Sequence, residues 1–353
     1  MSFDRLKPAF HVVPGCAFVL RFDDEGRAEP GDADDVAHIG APGEGFVWLH
    51  LHLDDPDMDA LLQRLSVLND DARKTLSGPI DRQFVEHSGG IVRGAFVDRE
   101  RGGDGAAATG TGTDYLRFAF GEQFLVSARQ RPLRAVESTI NALGAGRLAS
   151  SPLELFETIV GHLCDELGRM IYELSSTLDR VEERIVMGGQ GLDERATLGP
   201  TRRAALRLAR EVGGLRSPLL RLEASVSDPE QDELKEAGGR LARRADILAH
   251  DLSEMQDRAR LLQDELSAID SSVTNDRLYI LTMVTTLLLP ATFVTGFFGM
   301  NTKNLPFTET TNGTAYAAAL CVGASLVVLF FMRRLGLTRP RGAIGAQKPP
   351  PKV

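Results

Sequence analysis

Two long uncharged runs near the C-terminus limit what this chain can fold into more than any other feature. The first, Leu278 to Phe298 (LYILTMVTTLLLPATFVTGFF), contains no Asp, Glu, Lys or Arg. At about 1.5 Å per residue its roughly 21 residues cross a hydrocarbon core of about 30 Å. The second, Ala315 to Met332 (AYAAALCVGASLVVLFFM), is equally free of charge. With about 18 residues it lies at the short end of spanning lengths. A helical hairpin inside a soluble core has the same hydropathy, but two such runs beside a charged terminus fit a membrane anchor better. Bulk averages hide this asymmetry, since mean hydropathy is only -0.11.

Basic residues set the expected orientation. Arg333, Arg334, Arg339, Arg341, Lys348 and Lys352 follow the second run without an acid among them, while the segment between the runs, Thr302 to Thr314, holds only Lys303 and Glu309. The positive-inside rule puts the tail in the cytoplasm and the intervening loop outside. Two crossings return the N-terminal region to the cytoplasm. Met1 to Ala17 shows no basic, then apolar, then small-residue pattern, so no signal peptide is expected. The expectation is a multi-pass protein of the cell inner membrane with both termini cytoplasmic.

The first run carries its polar groups on one stripe. Thr282, Thr285, Leu289, Thr292 and Gly296 recur at three- and four-residue steps and share a helix face. Hydroxyls in a membrane helix can bond back to their own backbone; five threonines in this run also suit a wetted face. Pro290 lacks an N–H and leaves a carbonyl for neighbours to satisfy. The second run, interrupted only by Cys321 and Ser325, reads as a lipid-facing partner. Two spans cannot enclose a pore, so a wet stripe requires several copies of the chain. Oligomerisation and a lipid bilayer are therefore the expected partners.

Upstream, Leu241, Ala245, Leu248, Leu252, Met255, Ala259, Leu262, Leu266, Ile269 and Val273 alternate four- and three-residue steps, a coiled-coil-like seam. No Pro or Gly interrupts Arg240 to Tyr279, so one helix is expected to run from Arg240 to Phe298. Leu153 to Met187 predicts an acidic helix and Thr201 to Leu222 an arginine-rich one, and their opposite charge suggests that the two pair. Before Pro132, Phe10–Phe22, Phe46–Leu53, Gly90–Val97, Tyr115–Phe120 and Phe124–Ala128 read as strands, with a hairpin at Gly121-Glu122 and a helix over Asp57–Leu68. Interleaved strands and helices imply an α/β or α+β domain. Arg101 to Gly112 reads as a loop without a phosphate-binding Lys-Ser/Thr pattern. The expected divisions are a cytoplasmic α/β domain over 1–150, long helices over 151–277, spans over 278–298 and 315–332, an external loop over 299–314, and a basic tail over 333–353.

Chemistry-bearing residues are few. His50, His52 and Asp54 alternate on one strand and could hold a zinc ion, although polar positions on a half-buried strand read the same way. Cys16, Cys164 and Cys321 lie far apart, which argues against disulfides or a structural zinc site. A net charge of -9 disfavours nucleic acid. No Ser/His/Asp or Cys/His spacing suggests an enzyme.

The run PATFVTGFFGMN, closing the first apolar segment ahead of a short polar loop and a second segment, resembles the CorA metal-ion transporter family, whose hallmark is Gly-Met-Asn at the outer pore mouth. FVWLHLHLDD, RKTLSGPIDRQFVEHSGGIVRGAF, YLRFAFGEQFLVSARQRPL and the arginine-rich helix are similar to the zinc-transporting ZntB branch. Met300 instead matches the magnesium branch, and TKNLPFTETTNGT lacks the paired acids of many magnesium transporters. The resemblance implies a funnel-shaped homopentamer carrying a divalent cation as cargo, zinc favoured over magnesium, cobalt or nickel, with no resident cofactor. It implies Gly299, Met300 and Asn301 at the mouth, where Asn301 meets the ion's water shell and Gly299 lets the helix end turn. It implies Asn275, Leu278, Thr282, Thr285, Leu289 and Thr292 along the pore, with Leu278 and Leu289 as apolar constrictions. Arg240 falls near a carboxylate of the magnesium branch's cytoplasmic site, for which this sequence has no clear match. The other readings are a non-conducting membrane scaffold or sensor, and a tethered hydrolase using His50, His52 and Asp54.

Overall fold

Apolar strand runs in the first third of the chain assemble into one sheet in the computed structural model, which describes residues 13–41, 43, 45–100, 112–187, 192–225, 232–300 and 312–336. Seven strands, β1 (Cys16–Phe22), β2 (Ala28–Pro30), β3 (Phe46–His52), β4 (Phe84–Ser88), β5 (Ile91–Arg99), β6 (Thr113–Phe120) and β7 (Phe124–Arg129), lie in the order β2-β1-β3-β7-β6-β5-β4. Only β3 and β7 pair in parallel, with Leu49 opposite Val126; the other neighbours are antiparallel. The β6–β7 hairpin turns at Gly121-Glu122, as expected. β3 is buried along nearly its whole length, which is what a central strand covered on both faces requires.

Short helices α1 (Ala33–Ala37), α2 (Met58–Arg64) and α3 (Asp70–Ser77) bury Val36, Leu62 and Leu76 with Val47, Leu49, Leu51 and Val126 on one face. On the other face lie α4 (Arg134–Gly144) and α5 (Pro152–Val186), where Phe156 packs on Phe118 and Phe120 at 4.8 and 4.9 Å between ring centroids. The expected strand over Phe10–Phe22 begins at Cys16, after the positive-φ residue Gly15. Most of the expected loop Arg101–Gly112 lies outside the described residues, with only Gly112 described.

The long helices are α6 (Leu192–Ser225), α7 (Asp232–Phe298, 67 residues) and α8 (Gly313–Arg334). The α7 seam is buried from Leu241 to Leu266 and then opens, with Val273 42% exposed. Two expectations need correction. α6 starts well before Thr201 and runs through Pro200 and Pro218; Thr201 Oγ1 donates to Thr197 O at 2.9 Å in the turn Pro200 weakens. The pairing expected of α5 with α6 is the second. The α5 carboxylates meet arginines of α7: Glu157 with Arg240 at 2.8 Å, Asp179 with Arg258 at 2.6 Å, and Asp165 with Arg244. α6 reaches α7 through Arg216–Asp246 at 2.6 Å. These pairs are largely exposed, so each contributes about 0–1 kcal/mol; the buried seam beside them does the holding.

The chain divides into two compact units, 1–186 with 196–260, and 187–195 with 261–353.

Candidate functional site

In the second unit two helices are long and apolar enough to cross a membrane, the end of α7 and all of α8. They touch along one face of each. On α7, Val294 is buried and Met283, Thr286, Pro290, Ala291 and Phe298 are half-buried. Thr282, Thr285, Leu289, Thr292 and Gly296 are exposed. At 3.6 residues per turn this second set lies roughly 150° around the helix from the first. The threonine-leucine stripe therefore faces away from α8, with Asn275 and Leu278 exposed on the same line toward the N-terminal side. Leu278 is 55% and Leu289 69% exposed, which leaves both uncovered by their own chain.

The stripe's hydroxyls are bonded within the helix. Thr282 donates to Leu278 O at 2.8 Å, Thr285 to Leu281 O at 3.0 Å and Thr292 to Leu288 O at 3.0 Å. A hydroxyl whose proton is used this way presents only oxygen lone pairs outward. The stripe thus presents acceptor oxygens outward.

α7 ends by closing its ladder. Gly299 N donates to Thr295 O at 2.9 Å, and Met300 N to Phe297 O at 3.4 Å. Gly299 is not among the positive-φ glycines; a Cβ there would stand 3.0 Å from Thr295 O. Its place is set by this tight last turn rather than by a left-handed one. Asn301 lies outside the described residues.

The strand trio is not brought together as a metal centre. His50 is fully buried beneath Phe18, 4.7 Å away in a stacked pair. Trp48 Nε1 donates to Ser127 Oγ at 2.8 Å, and Ser127 Oγ shares a hydrogen bond with His50 Nδ1 at 2.7 Å. His50 Nε2 is buried without a hydrogen-bond partner among the described residues, and His52 and Asp54 do not join it in a metal-binding group. Burial, then Arg129 and His52, hold the His50 pKa well below the usual histidine value. Asp54 is exposed and accepts from Gln130 Nε2 at 3.1 Å. Among the described residues no three His, Cys, Asp or Glu side chains form a metal-binding group. Arg240 is held by Glu157 and Glu236.

Residues 43–334 match the family model described as CorA-like Mg2+ transporter protein. The chain belongs to the CorA family. Among curated proteins it is similar to the zinc transport protein ZntB of Photorhabdus laumondii, 25% identical over 321 residues that cover 90% of this chain and 94% of that one. The corresponding protein of Yersinia enterocolitica is 24% identical over 329 residues, covering 91% and 95%. The fold is that of the full-length CmaX protein, with a TM-score of 0.75 at 22% identity over 92% of this chain and 98% of that one. It is also that of the CorA magnesium transporter from Methanocaldococcus jannaschii, with a TM-score of 0.70 at 16% identity over 90% and 98%.

α8, expected as a lipid-facing partner, has no buried residue among those described and also touches α7. Ser325 Oγ donates to Leu287 O at 3.1 Å, and Cys321 Sγ lies 3.7 Å from Ala291 O. The signal was present in the sequence: these are the polar interruptions of the second run, spaced four apart as Leu287 and Ala291 are.

Proposed function

We propose that this chain is one subunit of a transmembrane transporter for divalent metal cations, with zinc favoured and magnesium, cobalt and nickel as its competitors. The observation that carries the reading is the exposed stripe of α7, whose back-bonded threonine oxygens and intervening leucines face away from α8. In a single chain such a face has no covering. Several copies around an axis, five by the pattern of the family, turn it into a lining of acceptor rings separated by apolar constrictions at Leu278 and Leu289. A divalent cation sheds its water reluctantly, and an acceptor lining lets it keep that shell. Gly299, Met300 and Asn301 form the mouth, with the Asn301 side-chain carbonyl receiving the hydrated ion. Zinc is favoured because the similar curated proteins are named as zinc transporters. We place the protein in the inner membrane with both termini cytoplasmic, on the basic tail after the second span.

The test is flux into proteoliposomes holding the full-length protein, with zinc, magnesium, nickel and cobalt in competition. Uptake with zinc as the strongest competitor is expected, and Asn301→Ala is expected to remove most of it while assembly persists. Intact assembly without flux of any of the four ions would favour a scaffold or sensor instead.

A further inference from the structure

Pro290 lies in the middle of the first span and breaks its ladder. It cannot donate to Thr286 O, and its ring crowds that carbonyl. In lipid a weakened turn needs donors from elsewhere. Two α8 groups meet carbonyls on either side of the proline rather than Thr286 O itself: Ser325 Oγ donates to Leu287 O at 3.1 Å, and Cys321 Sγ lies 3.7 Å from Ala291 O. The acceptors are four residues apart on α7 and the donors four apart on α8, one turn of each antiparallel helix. Ala317 and Ala324 are half-buried along this face, and side chains this small let the backbones approach closely. Leu289 sits next to Pro290 on the side of α7 turned away from α8 and is 69% exposed.

We propose that Ser325 and Cys321 are positioning residues: a two-rung clamp across Pro290 that holds the loosened turn and so sets where Leu289 points. The inference rests on the reading of the stripe as the pore face. The second span, on this account, supports the constriction from behind. Ser325 is the stronger rung because a hydroxyl is a better donor than a thiol.

The test uses full-length protein in lipid nanodiscs, with amide hydrogen exchange read over residues 286–295. Ser325→Ala keeps the span apolar and helix-forming, so insertion is retained. It is expected to raise exchange in this segment severalfold, Cys321→Ala to raise it less, and Ser325→Thr to restore it by returning the hydroxyl. In proteoliposomes, Ser325→Ala is expected to raise basal metal flux with the order of competing ions unchanged, and Ser325→Thr to return it to the wild-type level. Unchanged exchange in both alanine variants overturns the clamp. Raised exchange with basal flux equal to that of a conducting wild type overturns its role in setting Leu289. A wild type without metal flux strikes the transport reading alone, and the exchange measurements still decide the clamp.

Discussion

Asp98 is a carboxyl placed where few carboxyls are tolerated. It is 3% exposed on β5, and its two oxygens accept from Ala135 N at 2.9 Å and Arg99 N at 2.7 Å. Burial outweighs those bonds and pushes its pKa from 3.8 up to about 6. The folded state therefore binds this proton more tightly than the unfolded state. The stabilising contribution is complete below about pH 4 and fades as pH rises through about 6, a swing of about 3 kcal/mol at most. His50 acts with the opposite sign: its lowered pKa means that stability is lost as pH falls below the unfolded histidine value. Comparison with Asp98→Asn separates the two. The wild-type advantage over Asp98→Asn is expected to be larger at pH 5 than at pH 7 in thermal unfolding of the full-length protein. Parallel pH profiles for the two proteins would show that Asp98 does not titrate in this range.

At the scale of elements, neighbouring glycines in α6 give opposite expectations. A Cβ on Gly213 would meet nothing within 4 Å. Ala there gains helix propensity and loses unfolded-state freedom, so Gly213→Ala is expected to stabilise by about 0.5–1 kcal/mol. A Cβ on Gly214 would strike the Gln83 amide. That amide bridges two elements, donating to Glu211 O at 2.8 Å and accepting from Val97 N at 3.1 Å. Gly214→Ala displaces the bridge and is expected to be less stable than Gly213→Ala by about 1 kcal/mol or more. Denaturant midpoints of the two variants decide the matter, and equal midpoints would mean the bridge contributes nothing. The arginine-rich helix is also attached to β5 by Arg99–Glu211 at 2.5 Å, a pair only 14% and 19% exposed.

At the scale of the whole molecule, the proposed pore needs more than one chain, and Leu289 is where that requirement is most testable. A ring of leucines makes a constriction from which water withdraws, so an ion meets a barrier without a charged plug. One polar substitution in about 20 apolar residues leaves the span inserted. Leu289→Asn is expected to wet the constriction and raise leak flux without changing which ions compete at the mouth. Unchanged leak, or a change in ion preference as large as that of Asn301→Ala, would move the constriction elsewhere on α7.

Much of this protein was legible without coordinates because its strongest signals are local. Uncharged length marks the two spans, a 3.5-residue repeat marks α7, and alternating strand runs mark β3, β5, β6 and β7. Three- and four-residue spacing put Thr282, Thr285, Leu289 and Thr292 on one face, since helix geometry alone decides that. What stayed hidden depends on partners distant in sequence. The helix α4 lacks a side-chain cap of its own at Leu133; Asp98, on another strand, accepts from Ala135 N in its first turn. The polar edge strand β4, with Glu86, His87 and Ser88, has too little apolar content to announce itself. Charge sign suggested that α5 meets α6, but packing along the α7 seam brought the α5 acids to Arg240, Arg244 and Arg258. His50 looked like a ligand on its strand, and only the tertiary structure buries it beneath Phe18 with its Nδ1 on Ser127 Oγ. Likewise, the sequence determined that Pro290 leaves a carbonyl without its donor, whereas only the packing of α8 decided that Ser325 stands beside that turn, because a hydrogen bond depends on where two chain segments meet in space.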